Sequence, residues 1–198
     1  MSGKTHMIIG ATSSLFFLPT NRISATIICA SFGALGGLIL DIDTRKSKGA
    51  VLFRTVKKAV ELLLALALIA ILLGKEKDFF RVFDSWNWWN VICLASLFLL
   101  YWYGSTTPHR SFTHSIEFVI FNAFLLYFLP NLFLCAFLIG QLSHIVLDLF
   151  NKKHVTLSIL FRIKVSLNLA SSDGIVDRML SFLGMIGLVI LFVKTLFS

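Results

Sequence analysis

Residues 32–43 read FGALGGLILDID, an apolar run that stops abruptly at two carboxylates. Gly33 and Gly37 form a G-x-x-x-G, the spacing through which helices in lipid approach one another closely. The same glycines have a simpler explanation, because glycine is frequent in membrane helices generally. Asp41 and Asp43 stand at the polar end of the run. This segment therefore predicts a membrane helix that packs closely against other helices and ends at two aspartates.

The composition of the rest of the chain also favours a membrane protein. The 198 residues are 57% hydrophobic and 14% charged, with a net charge of +8. Soluble domains carry about 25% charged residues and about 45–50% apolar ones. An ordinary cytosolic globule and a disordered chain are therefore excluded. The positive charge is explained more simply by cationic loops that face anionic lipid headgroups than by binding of the protein to nucleic acid. No nucleic-acid partner is therefore expected.

Further apolar segments continue the pattern along the chain. They are residues 23–40, 60–73, 88–103, 116–129, 132–150 (after Pro130) and 179–197. A spanning helix needs about 20 residues, so the number of full spans stays open and short segments can be tilted or re-entrant. Residues 7–18 are predicted to form a hairpin with residues 23–40 rather than a signal peptide, because no cleavage site follows them. We expect one all-α, polytopic membrane domain over residues 1–198, built from hairpin-paired helices.

The cationic residues predict which ends of these helices meet. Of the 18 Lys and Arg, six lie in residues 44–58 and five in residues 151–178, and such loops face the cytoplasm. Residues 74–88 have balanced charges and several tryptophans, which suit the opposite interface. The chain then returns to one membrane face at four places: near His6, at Asp41 and Asp43, at residues 109–114, and at the end of the helix that carries His144 and Asp148.

Ionisable residues at membrane depth are costly, so their clustering indicates function. His144 and Asp148 are spaced i, i+4 on one helical face, where an imidazole and a carboxylate can reach one zinc, manganese or iron ion. A buried hydrogen bond between them is the simpler alternative. The carboxylates of Asp41 and Asp43 lie on the same side of the backbone if the chain is extended there, and they diverge if the helix continues. They suit a metal ion or, alternatively, a solvated helix end.

Residues 109–115, HRSFTHS, place two histidines and an arginine in one short polar segment. Such a segment can hold a metal ion and an anionic group, because a guanidinium binds phosphate through two hydrogen bonds. An ordinary polar loop between helices is the alternative. Glu117, Ser111 and Thr113 are candidates to support the metal ligands.

Four pieces of the chain, taken in order, resemble the YdjM-type family of bacterial inner-membrane, metal-dependent hydrolases. They are residues 5–6, 37–43, 109–115 and 140–148. That family is considered a distant relative of the helical zinc-dependent phospholipases C and single-strand nucleases. The resemblance implies two or three divalent metal ions per chain, with zinc favoured and manganese the alternative. It also implies a ligand set: His6, Asp41, Asp43, His109, His114, His144 and Asp148.

These features together predict a membrane-bound, metal-dependent hydrolase of the bacterial inner membrane, with its site facing the cytoplasm. The expected substrate is a phosphoester such as a phospholipid or a lipid-linked phosphate, attacked by metal-activated water. Arg110 would hold a phosphate oxygen, and Asp43 would bridge metals or accept the proton of the water. The alternative is a non-catalytic metal-binding membrane protein, a transporter or a scaffold. A transporter should carry ionisable groups in mid-span and repeat symmetry, and neither is evident.

Overall fold

A computed structural model of the chain describes residues 1–75, 81, 87–128 and 134–197. These residues form helices, two short 3-10 turns (Leu40–Asp43 and Phe112–His114) and one β-hairpin. The helices are α1 Gly3–Phe17, α2 Ile23–Ile39, α3 Lys48–Leu72, α4 Trp88–Thr106, α5 Ile116–Tyr127, α6 Leu134–Leu149 and α7 Ile175–Leu196, and the strands are β1 Val155–Ser158 and β2 Ile163–Val165. The predicted break at Pro130 and most of the predicted interfacial loop at residues 74–88 lie outside the described residues.

Four helices begin at a Ser or Asn that caps the first turn. Each side-chain oxygen accepts a hydrogen bond from the backbone N–H three residues later, which would otherwise lack a partner. The capping residues are Ser2, Ser47, Asn87 and Ser115. The cap at Ser47 explains why α3 begins at Lys48, well before the apolar segment 60–73 that the sequence indicates.

The centre of the molecule is formed by α1, α2 and α6, which touch backbone to backbone at glycines. A Cβ atom on Gly140 of α6 would lie 2.1 Å from the carbonyl oxygen of Gly33 on α2. A Cβ atom on Gly10 of α1 would lie 2.4 Å from the same oxygen, and one on Gly37 would lie 2.3 Å from the carbonyl oxygen of His6. The G-x-x-x-G of α2 is therefore a specific packing site, with α1 on one side and α6 on the other.

The exterior of this bundle is apolar. Two helical segments, Ile23–Asp43 and Ile175–Leu196, are long and apolar enough to cross a membrane. The second is almost entirely uncovered by the rest of the protein, and α3 likewise exposes Leu62, Leu64 and Leu72. Uncovered apolar surface of this extent is unfavourable in water and typical of a protein that contacts lipid.

One end of the bundle gathers the residues that the sequence analysis singled out. The amino group of Met1, just before α1, lies 3.2 Å from Asp148 near the end of α6. Asp43, in the turn that follows α2, lies 2.9 Å from His109, in the segment that follows α4. The starts of α1, α3 and α5 and the ends of α2, α4 and α6 therefore meet at this end, in agreement with the predicted return of the chain to one face at four places.

The predicted loop at residues 151–178 differs from the prediction in two ways, because α7 begins within it at Ile175 and the part before α7 is not all-α. It contains the antiparallel strands β1 and β2, which pair Val155 with Val165 and Thr156 with Lys164. β-branched residues favour extended backbone, but an isolated two-stranded hairpin is only marginally stable in water. This hairpin is anchored to the helices, since Val155 is fully buried.

A chain of polar side chains crosses the apolar core between α4, α5 and α6. Asn122 donates a hydrogen bond of 2.8 Å to the side-chain oxygen of Gln141. Gln141 in turn donates one of 3.0 Å to the hydroxyl group of Tyr101. Asn122 and Gln141 are completely buried, so these bonds replace water that the two amides cannot reach.

Replacing Gln141 by leucine should therefore destabilise the protein. The change leaves the buried amide of Asn122 without its acceptor, which costs about 1–3 kcal/mol. Thermal unfolding of the purified variant in detergent measures the loss. The double variant Gln141→Leu/Asn122→Leu removes both amides and should recover part of it. A single variant as stable as the unmodified protein would show that the polar chain does not stabilise the core.

Candidate metal centre

Seven His and Asp side chains converge at the end of the bundle where the helices meet. They form three groups, and the ligand-type atoms within each group lie within 4.8 Å of one another. The groups are His6, His144 and Asp148; Asp41, His114 and His144; and Asp43, His109 and His114. The first two groups share His144 and the last two share His114, so the three form one continuous cluster. It contains every residue of the predicted ligand set.

Asp148 lies at the deep end of the cluster and contacts groups from several parts of the chain. Its Oδ1 atom lies 3.2 Å from Nε2 of His6, 3.2 Å from the amino group of Met1 and 2.7 Å from the side-chain amide of Asn151. Its Oδ2 atom lies 3.1 Å from Nε of Arg110. The carboxylate is almost fully buried, and these donors and cations compensate its charge.

The hydrogen bonds of His144 and His114 orient both rings with Nε2 towards the centre. Nδ1 of His144 is 2.6 Å from the carbonyl oxygen of Gly37, which can only accept, so this nitrogen carries the proton. The hydroxyl of Thr113 donates to Asp43 and lies 2.9 Å from Nδ1 of His114, which is therefore also the donor. The two Nε2 atoms lie 3.2 Å apart. Two imidazole nitrogens this close together are spaced to bind one divalent ion.

Asp41 and His6 complete the surroundings of these two nitrogens. Oδ1 of Asp41 lies 3.7 Å from Nε2 of His114 and 3.6 Å from Nε2 of His144. The ring of His6 stacks on that of His144, with the ring centroids 3.6 Å apart and an angle of 12° between the ring planes. Among the described residues, the buried Nδ1 of His6 has no hydrogen-bond partner. Neutral imidazoles beside carboxylates are the donor set that zinc and manganese take.

The third group lies where the cluster meets solvent. Oδ1 of Asp43 is 2.9 Å from Nδ1 of His109, whose side chain is 38% exposed. Oδ2 of Asp43 accepts hydrogen bonds from the backbone N–H of Arg110 and the hydroxyl of Thr113, at 3.1 and 2.9 Å. Asp43 thus holds the segment after α4 in place, beside the exposed face of the cluster at His109.

Arg110 connects this segment to the rest of the cluster. Its φ of 63° is in the left-handed region, which is unfavourable for a residue with a Cβ atom. The conformation is held on both sides, since its N–H donates to Asp43 and its carbonyl accepts from the N–H of Thr156, at 2.9 Å. The guanidinium contacts Asp148 through Nε and donates through Nη1 to the carbonyl of Lys153, at 3.0 Å.

The remaining candidates have different positions. Thr113 lies within the cluster, as described above. The hydroxyl of Ser111 donates to the carbonyl of Pro108 and so shapes the turn. The carboxylate of Glu117 binds the β-hairpin at Ser158 instead of the cluster.

Among the side chains that contact the cluster, the sequence analysis did not single out Thr44 and Asn151. Thr44 lies 2.8 Å from Nδ1 of His109, and Asn151 binds Asp148. Both are close in sequence to predicted ligands, and that adjacency is the signal that would have found them.

The fold and the cluster together define a class of protein: a helical protein with a lipid-compatible exterior and a buried group of His and Asp spaced to hold metal ions. The chain belongs to the YdjM inner membrane protein family, whose description matches residues 1–196. No curated protein and no solved structure matches it. Family membership confirms the resemblance to the YdjM family and places the protein at the inner membrane. It does not extend to the relation with zinc-dependent phospholipases C and nucleases. It names no reaction.

Proposed function

We propose that this protein is a metal-dependent hydrolase that spans the inner membrane several times and acts on a phosphoester of a lipid or a lipid-linked phosphate. The observation that supports the proposal most strongly is the continuous cluster of three metal-spaced groups. Two or three divalent ions, zinc in preference to manganese, fit its imidazole and carboxylate donors. Such ions would supply a nucleophilic water at neutral pH and stabilise charge on phosphoryl oxygens.

Arg110 is proposed to hold the phosphate group of the substrate. A guanidinium carries five N–H groups. The hydrogen bond to the carbonyl of Lys153 uses one of them. Nε lies 3.1 Å from Asp148 but has no hydrogen-bond partner among the described residues. N–H groups therefore remain for an anionic ligand beside the cluster. Phosphate is one of the anions that a planar guanidinium binds through two parallel hydrogen bonds.

Asp43 is proposed to position this arginine and the histidines around it. Its carboxylate binds the backbone of Arg110, the hydroxyl of Thr113 and the ring of His109. Since the ring and the arginine lie at the open side of the cluster, loss of the carboxylate would disorder the place where substrate enters.

The cationic segments support a cytoplasmic orientation of the site, because positive segments stay on the cytoplasmic side. Residues 44–58, which the sequence predicts as a loop, run from the turn before α3 into α3 itself, since that helix begins at Lys48. This segment and the loop that contains the hairpin both start at the cluster end of the bundle. A site at the ends of apolar helices lies near the depth of lipid headgroups. This position favours a phosphate attached to a lipid over a soluble phosphoester.

A hydrolysis screen tests the proposed reaction. The purified chain in mixed micelles is freed of metal with a chelator, then supplied with zinc or manganese, and given phosphatidic acid, a phosphatidylglycerol and a chromogenic phosphodiester. We expect hydrolysis of at least one lipid phosphate that depends on added metal. A chain that binds metal stoichiometrically but hydrolyses none of them would favour the non-catalytic alternative, a transporter or a scaffold.

Replacing Arg110 by lysine should impair this reaction although the charge is kept. An ammonium group cannot contact Asp148 and the carbonyl of Lys153 together while also presenting N–H groups to a phosphate. Loss of such supporting contacts around a metal ligand lowers activity or metal affinity by about 10–100-fold. Rates at several substrate concentrations, with metal in excess, measure the effect, and we expect a higher KM as well as a lower kcat. Unchanged rates would exclude a role for the guanidinium.

A further inference from the structure

The tip of the β-hairpin exposes large apolar side chains. Leu160 and Phe161 are 77% and 78% exposed, and Ile159 and Ile163 beside them are also exposed. These residues do not contribute to the core, although the strands that carry them are anchored to it. In water their exposure would be unfavourable.

The conformation of the tip is fixed by hydrogen bonds. Glu117, in the first turn of α5, accepts a hydrogen bond from the hydroxyl of Ser158. The same oxygen accepts bonds from the backbone N–H groups of Ile159 and Leu160, at 3.1 and 3.2 Å. The N–H of Phe161 donates to the hydroxyl of Ser158 at 3.1 Å. A tip held by this many bonds presents its apolar side chains outward as a defined feature.

The loop that carries the tip has a positive charge, and the carboxylate of Glu117 contacts it through hydrogen bonds. Between Asp148 and Asp173 the sequence contains no acidic residue. The same stretch contains four cationic residues, all of them exposed: Lys152, Lys153, Arg162 and Lys164. Exposed apolar side chains flanked by cations are the combination that binds an anionic membrane surface, since the cations meet lipid phosphates while the apolar groups enter the boundary of the acyl chains.

The position of the tip also matches the edge of the bilayer. Glu117 holds it at the start of α5, where the apolar side chains of Ile116 and Ile120 are exposed. The apolar exterior of the helices thus reaches the tip, and the cationic loops lie at the same end of the bundle. A segment at this boundary meets headgroups.

We propose that the tip, residues 159–162, inserts Leu160 and Phe161 into the headgroup region of an anionic leaflet. The N–H of Thr156, in β1, donates a hydrogen bond to the carbonyl of Arg110. Only the length of β1 therefore separates the cluster from the lipid that the inserted tip would contact. The proposal rests on membership of an inner membrane family and on the charges of the tip. It holds whether or not the cluster hydrolyses a substrate.

Fluorescence of a label at the tip tests this insertion. Cys135 is exposed, whereas Cys29 and Cys93 are buried, so the full-length chain is first changed to Cys135→Ser. Phe161→Cys is then labelled with an environment-sensitive fluorophore, and single chains are reconstituted in nanodiscs of phosphatidylcholine with or without phosphatidylglycerol. In the anionic discs we expect a blue-shifted emission, quenching by nitroxide-labelled lipid and protection from aqueous acrylamide. A label at Lys153→Cys, in the same loop, should stay exposed to acrylamide.

Removal of the two cationic side chains next to the tip gives a second test of the insertion. Each basic residue near an anionic surface contributes about 1 kcal/mol, so Arg162→Gln/Lys164→Gln should lower the ratio of inserted to free tip about 30-fold. A label at position 161 that remains open to acrylamide and unquenched by nitroxide lipid in anionic discs would overturn the proposal. Protection that appears only in discs holding two chains would overturn it too, since it would show that the tip binds a second copy.

Discussion

Replacing His144 by alanine should lower the hydrolysis rate at least about 100-fold, because loss of a supporting contact alone costs about 10–100-fold and this change removes a proposed ligand. His144 belongs to two of the three groups in the cluster. It is fully buried, and its Nε2 atom faces both Asp41 and His114. Initial rates with zinc in excess measure the effect.

His154 offers a matched control for this variant. It is an exposed histidine outside the three groups, so His154→Ala should keep the full rate. Far-ultraviolet circular dichroism and gel filtration in detergent show whether His144→Ala still folds. A folded His144→Ala chain with the rate of the unmodified protein would contradict the proposed site.

Replacing Gly140 by alanine should produce a large loss of stability, because the added methyl group has no space at the protein's centre. The new Cβ atom would lie 2.1 Å from the carbonyl oxygen of Gly33 and 2.9 Å from the backbone nitrogen of Gly37. Since both neighbours are backbone atoms, α2 and α6 must move apart, and such overpacking costs about 1–3 kcal/mol or more. The carbonyl of Gly37 also accepts from His144, so the same shift should weaken metal binding.

Gly3→Ala is the control for this second prediction. A Cβ atom on Gly3 would lie 3.8 Å from its nearest neighbour, the flexible side chain of Leu38, so the protein should unfold at nearly the same temperature as before. Thermal unfolding in detergent, with metal content measured on the same samples, compares the two. A Gly140→Ala chain with an unchanged midpoint would mean that the backbone contact between α2 and α6 is not tight.

The parts of the fold that hydropathy and charge determine could be predicted from the sequence. The apolar run that ends at Asp41 identifies α2, and the cationic loops identify the end at which the helices meet. The backbone after α2 could not be predicted, because Asp41 and Asp43 lie in a 3-10 turn, a geometry between the continuing helix and the extended exit. That turn directs the two carboxylates to different groups of the same cluster.

The surroundings of Glu117 could not be predicted either, for a reason of distance along the chain. Its position three residues after His114 suggests a link to the cluster, but its partners Ser158, Ile159 and Leu160 are about 40 residues away in the sequence. The hairpin that brings them there is short, and its strands have no periodicity strong enough to separate them from a loop. The environment of Glu117 therefore depends on contacts between segments that are far apart in the sequence.

Elemental analysis of the purified chain tests the central claim most directly. We expect the unmodified protein, after exchange into zinc-containing and then zinc-free buffer, to retain bound divalent metal. His154→Ala should retain the same amount, and His144→Ala should lose most of it. A folded, unmodified chain that takes up neither zinc nor manganese would contradict the account, because the cluster of His and Asp would then serve only to join the helices.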